Sequence, residues 1–459
     1  MTSEAWSYPE PPARPRGPGF LRAFGPGAIL ASATIGAGET ILAVRAGAWG
    51  GYDLLWLVLL ACFTKSFVLL YLLGRYAALT GDAVPQRLLE LPGPRGWPLW
   101  FVLVADLLPA GPVFAAIAAP CGWLFAQQLG GEPRGWAIAF ALLAIGVAMR
   151  QRYEALEKQQ VVVCLVLLAC VVVSTLLIGP DLRRLFAGLF SIGHVPEIPP
   201  WARPAFAGRP LALELATVFG YAGNVAMGYM VYCEFVRQKR WGVFRGDAPA
   251  PPLDRLPTDA TNLERARRGL APLLGDLGLA SCLIFLVTGA FLVAGATALH
   301  PIGALPAGFD LLSKQAVIFE AISPTLIPVY YVAILFALWG TLNSIPEIYA
   351  RVTHAFLAAL LGRRGRFRYE AVLRVMGLYL ALSSVALLWL RVQPQRLMDF
   401  VALFSTNLGV AVTFVAALWL DRRLPRPLRA SPALFVVGVL SFLVVLAATL
   451  VSAWFQLRV

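Results

Sequence analysis

The chain has 459 residues, 59% of them hydrophobic and 14% charged, with a mean hydropathy of +0.72. Soluble domains average about 45–50% apolar and about 25% charged residues, so the composition excludes a soluble globular or a disordered protein and points to a polytopic membrane protein. The net charge of +13 gathers in loops between apolar runs, so the expected partner is a lipid bilayer and no nucleic acid.

The six cysteines all lie in apolar runs without a CxxC pair, and the three histidines are far apart. Neither a disulfide framework nor a zinc or haem motif is expected, and no resident cofactor. HExxH, GxSxG and paired-Asp or Ser/Lys motifs are absent from the sequence, so the chain does not read as an enzyme.

In chain order, residues 1–25 form a Pro/Arg-rich tail without a signal-peptide pattern, read as a short cytoplasmic segment. Residues 26–459 read as one transmembrane domain. Runs of about 17–25 apolar residues can cross a bilayer, and eleven are predicted: 26–47, 52–79, 98–128, 134–150, 155–178, 211–236, 271–298, 324–350, 371–390, 397–420 and 433–456. With the N-terminus inside, the inner segments hold 27 Arg and Lys and the outer segments and span ends hold ten. The positive-inside rule then predicts a cytoplasmic N-terminus and an outside C-terminus. High Ala, Arg and Pro content suggests a bacterial plasma (inner) membrane. The predicted protein is a monomer.

Span one is interrupted at Gly36-Ala37-Gly38, and Glu39 follows at once. Two glycines two positions apart cost a helix about 1 kcal/mol each relative to alanine, and an acid near the bilayer centre costs about 2.5–3.5 kcal/mol. A span that tolerates both is expected to present backbone and charge to a cation. Glu39 lies twelve residues past Gly27, roughly 18 Å along a helix, so near mid-depth.

Span two carries a lone Lys65, and span three carries Asp106; the two are expected to pair with one another. Asp106 is also the one acid on span three available for coupling. Span six is interrupted by Gly220, Gly223 and Gly228, with Asn224 beside the break as a neutral oxygen donor and Tyr221 and Met227 flanking it. Spans one and six each open a five-helix unit, about 26–178 and 211–420, with an extra helix at 433–456. Matched Gly-interrupted spans point to an inverted-repeat secondary transporter with its site at the midplane; close packing through small residues is the other use of such glycines.

On span eight, Asn343 and Glu347 are four residues apart and share a face. They are expected either to line a vestibule or to sit at a helix end where Arg351 pairs with Glu347. Asn407 on span ten is expected to hydrogen-bond across helices or to join the vestibule.

Gly25-Pro26-Gly27, Ala46-Gly47-Ala48, Gly51-Tyr52 and Leu54-Leu55-Trp56 resemble the start of the NRAMP (natural resistance-associated macrophage protein) divalent-metal transporters, without a gap to Thr80-Gly81. Arg152 to Glu157, Gly188-Leu189-Phe190 with Pro196 and Pro199, and Phe235 to Lys239 resemble later parts of that family. The resemblance implies an all-α, LeuT-like 5+5 inverted repeat of about eleven helices, helices one and six broken, and cation transport usually coupled to protons.

The departures lie at the site. Where the family has Asp-Pro-Gly-Asn, this chain has Gly36-Ala37-Gly38-Glu39, so one negative charge is kept but moved three residues. The family's Met-Pro-His-Asn falls either on Val225-Ala226-Met227-Gly228 or on Tyr221-Ala222-Gly223-Asn224. Glu39, Asn224 and carbonyls make an oxygen site, which suits hard cations better than a thioether does. The expected function is secondary transport of a divalent cation such as Mn²⁺ or Mg²⁺. An organic cation or amino acid as substrate, or a non-transporting sensor or scaffold, are the alternatives.

Overall fold

The computed structural model describes residues 6–11, 25, 27, 30–31, 36, 38–150, 169, 172–320, 323–362 and 367–456; Ala37, the Glu39 side chain and most of span five lie outside the described residues. Those described are helical or loop, with no strand among them. Among the described residues, seven helical stretches are long and apolar enough to cross a membrane: Thr40–Thr80, Trp97–Leu129, Ala260–Leu299, Pro324–Leu361, Tyr369–Trp389, Pro394–Arg423 and Pro432–Gln456. Pro133–Ala148 is a shorter apolar helix at the place of span four.

The difference from eleven has physical causes. Thr40–Thr80 has 41 residues, about 60 Å if straight and twice the thickness of a hydrocarbon core. It turns at Gly51, φ 61°, between Val44–Gly50 and the short 3₁₀ turn Gly51–Leu54, and so holds two of the predicted spans. Span six is divided into Leu211–Tyr221 and Ala226–Gln238, each too short to cross alone. Span eight runs past its predicted end at residue 350, since the helix Ile327–Leu361 continues for 35 residues through Pro346.

Spans one and seven cross at a very close approach. A Cβ on Gly47 would collide with the Leu292 carbonyl, and one on Gly295 with the Val44 carbonyl. Only glycine at both positions lets the two backbones touch. The start of span one is tied to the same helix: the Gly25 and Gly27 amides donate to the buried carboxylate of Asp276, and the Tyr232 hydroxyl donates to it at 2.9 Å.

Stretches of π-helix occur at Gly38–Ala43, Cys62–Leu69, Gly295–Leu299 and Ala402–Gly409. Such turns re-aim side chains and are frequent at functional sites. Those of spans two and ten carry polar groups to the break in span six.

Candidate functional site

Span six stops being helical over Ala222–Val225. The cause is local: Gly223 has φ 156°, a conformation that side chains with a Cβ rarely adopt. Asn224 then secures the turn. Its amide oxygen accepts from Val225 N at 2.9 Å, its amide nitrogen donates to Leu30 O at 3.3 Å, and its backbone N–H donates to the Tyr229 hydroxyl at 2.9 Å. Gly228 leaves the space the Asn224 side chain fills. The break covers three residues of the asparagine register, Ala222 to Asn224, and one of the other.

Beside the break lies a cavity of about 50 Å³ lined by Gly38, Tyr221, Gly223, Asn224, Thr341 and Thr406 among others. Of the predicted site residues, the structure brings Gly38, Tyr221, Gly223 and Asn224 to this cavity. Gly36 sits at the span-one interruption, where its carbonyl accepts from Thr40 N at 3.0 Å and Thr40 Oγ1 at 2.6 Å. Gly36 approaches Thr341 and Gly38 approaches Tyr221 so closely that a Cβ on either would collide. Ala37 and the Glu39 side chain lie outside the described residues; the Glu39 backbone belongs to the π-helix that begins at the cavity-lining Gly38.

Met227 is fully buried, and it is its backbone that is engaged: Met227 N donates to Asp106 at 2.5 Å. The other Asp106 oxygen accepts from Ser405 Oγ at 2.5 Å. Asp106 therefore caps the start of Ala226–Gln238. Lys65, expected beside it, goes elsewhere: its ammonium donates to the carbonyls of Phe219 and Gly220 at 2.5 and 2.6 Å. The expected Lys65–Asp106 pair does not form because each charge is matched to a helix end of opposite sign, ammonium to carbonyl end and carboxylate to amide end.

Asn343 is fully buried. Glu347 is held by Arg351 and by the Tyr369 hydroxyl; the expected i to i+4 pairing forms, but inside the helix Ile327–Leu361 and not at a helix end. Asn407 donates to Ala216 O at 3.2 Å and Ser452 Oγ at 3.3 Å, joining spans six and eleven to span ten. It also lies against Gly220.

A second polar centre had no counterpart among the predicted site residues. Arg45 on span one pairs with Glu214 on the first half of span six at 2.9 Å, both side chains at 1% exposure or less, and donates to Pro306 O at 2.7 Å. Arg209 pairs with Glu214 and with Asp399 on span ten, and Thr217 donates to Asp399 at 2.6 Å. The signal that finds these groups is the rule that an ionisable residue inside an apolar span has a partner and a purpose; Glu214 and Asp276 both satisfy it.

Among the described residues, no cluster of three or more His, Cys, Asp or Glu is placed to hold a metal. The cavity is lined instead by backbone, amide and hydroxyl groups, among them those of Gly38, Tyr221, Gly223, Asn224, Thr341 and Thr406. That arrangement, in two five-helix units, is the LeuT-like class of membrane fold. The comparisons agree. A mutant of the Eremococcus coleocola manganese transporter superposes with a TM-score of 0.70 at 16% identity, over 98% of this chain and 90% of that one. Mhp1, a nucleobase-cation-symport-1 family transporter, gives 0.54 at 14% identity over 95% and 93%, and MhsT in complex with L-phenylalanine gives 0.54 at 16% identity over 94% and 97%. No curated protein matches significantly. The chain belongs to the Nramp family, described as natural resistance-associated macrophage protein-like, whose model matches residues 27–455.

Proposed function

We propose that this protein is a secondary transporter that moves a divalent cation, Mn²⁺, Mg²⁺ or one similar, across the membrane by alternating access. The observation that carries the reading is the break at Ala222–Val225 facing the interruption of span one across a small cavity. A cavity of about 50 Å³ holds a few water-sized bodies, given about 10–15 Å³ for each. That suits a partly hydrated ion. Family membership supports the substrate class, and the manganese transporter that shares the fold supports it further.

In this reading Glu39 supplies the negative charge in place of the family's Asp, and Asn224 and the carbonyls near Gly36 and Gly223 supply neutral oxygens. Such a set of hard ligands accepts Mg²⁺ more readily than a thioether site does. Asp106, the one acid of span three, has its two oxygens engaged by Met227 N and Ser405, which supports reading it as a helix cap in preference to a proton carrier. We read the protein as a monomer in a bacterial plasma membrane, N-terminus inside and C-terminus outside; the 27-to-ten bias of basic residues supports the orientation.

The test is uptake of Mn²⁺ and Mg²⁺ into proteoliposomes, wild type beside Glu39→Ala, with internal pH followed in the same vesicles. Uptake by the wild type, lost in the variant, is the expected result. Equal uptake by both removes Glu39 from the site. No uptake of either ion by folded wild type, with thermal stabilisation by small amines, moves the substrate to organic cations.

A further inference from the structure

The ammonium of Lys65 occupies the position where a cargo cation has most to gain. The helix Leu211–Tyr221 ends at the break and leaves its last carbonyls without a following turn. Val218 O is taken by Ala222 N at 3.1 Å and Tyr221 O by Gly223 N at 2.7 Å. Phe219 O and Gly220 O, between them, accept from Lys65 Nζ. Nζ also stands 4.7 Å from the centre of the Phe219 ring, where the face of the ring favours a cation. Lys65 is fully buried and comes from the π-helical stretch of span two. Its path runs past Gly223: a Cβ there would sit 2.8 Å from Lys65 Cε and 3.1 Å from Nζ. Gly223 itself lines the cavity.

We propose that Lys65 is a tethered cation that competes with the transported one. Its ammonium holds the carbonyl end of the break in the empty protein, and cargo binding there requires it to withdraw. The inference rests on the cation-transport reading above. An ammonium and a metal ion both seek the same two oxygens, and two cations a few ångströms apart in a water-poor centre repel. The flexible four-carbon stem of lysine lets the head group retreat, which the flat fork of arginine does less readily. A monovalent ion brings no charge advantage over the ammonium it must displace, whereas a divalent ion does. Lys65 thereby sets specificity for the higher charge.

The test uses the full-length protein in nanodiscs, with unfolding temperature followed during titration by Mn²⁺, Mg²⁺ or Na⁺. Lys65→Gln removes the charge and keeps donors for the same carbonyls; Lys65→Met removes both; Lys65→Arg keeps the charge. The Gln and Met variants are expected to lower the half-saturating Mn²⁺ concentration about tenfold or more and to respond to Na⁺ where the wild type does not, as loss of a like charge requires. Arg keeps the charge and withdraws less readily, so it is expected to bind Mn²⁺ no more tightly than wild type and to stay silent to Na⁺. If Met fails to fold, Gln carries the comparison. A folded Gln variant with unchanged or weaker Mn²⁺ half-saturation overturns the inference, and wild-type uptake beside that result leaves the transport reading standing. Wild type that takes up neither metal beside a Gln variant that binds it sinks the transport reading and, with it, the inference as a device of transport, leaving Lys65 as a plug in a cation site. Failure of both proteins to bind overturns both.

Discussion

Lys65 and Asp106 stand at opposite lips of one gap, the ammonium on the carbonyls that end Leu211–Tyr221 and the carboxylate on the Met227 amide that begins Ala226–Gln238. Each neutralises about half a charge of the opposite sign at a helix terminus. The broken helix is therefore stabilised from both sides by residues of spans two and three, and an interruption that would be costly in a bilayer becomes tolerable.

Asp106→Ala leaves the Met227 N–H and the Ser405 hydroxyl as buried donors without their acceptor. Each such orphan costs about 1–3 kcal/mol. Thermal unfolding in detergent is expected to drop clearly for Asp106→Ala and much less for Asp106→Asn, which keeps an acceptor oxygen. Equal losses for the two would refute the capping role.

Glu214 holds Arg45 and Arg209 together with almost no access to solvent. Removing it alone strands buried positive charge, at a cost of about 3–5 kcal/mol. Glu214→Met is expected to unfold at much lower temperature, and adding Arg45→Met to recover part of the loss. A double-mutant cycle with no coupling would contradict the pairing.

Gly223→Ala places a Cβ against the Lys65 stem on a backbone with φ 156°. Strain of this kind costs about 1–3 kcal/mol. In a Lys65→Ala background the contact with the lysine disappears while the contact with the Tyr229 hydroxyl and the backbone part stay, so the loss of stability should shrink without vanishing. A loss of the same size in both backgrounds means that the lysine does not pass beneath the break.

Asp276 accepts from both Gly25 and Gly27 and from Tyr232. Asp276→Ala should raise amide exchange over residues 25–31, because two backbone donors lose their acceptor. Tyr232→Phe should raise it less, since the carboxylate remains. Unchanged protection in Asp276→Ala would show that span one is held at its start by something else.

Much of the architecture was legible because it rests on local chemistry. Apolar run length gives the membrane class, and Gly223 with Asn224 marks the break to within a residue. The site's electrostatics were less legible, because its partners are distant in sequence. Lys65 finds carbonyls 154 positions away and Arg45 finds Glu214 169 positions away. The assumption that an isolated lysine and a nearby aspartate seek one another overlooked the stronger claim of two exposed helix ends, which no residue-type pattern displays. Run lengths did place the turn at Gly51, between the spans expected at 26–47 and 52–79, within a helical stretch of 41 residues.

The chain of charge running from Arg45 through Glu214 and Arg209 to Asp399 binds three separate elements into one mechanical block. If spans one, six and ten part during transport, as the proposed function has it, none of them leaves this point without separating a largely buried ion pair.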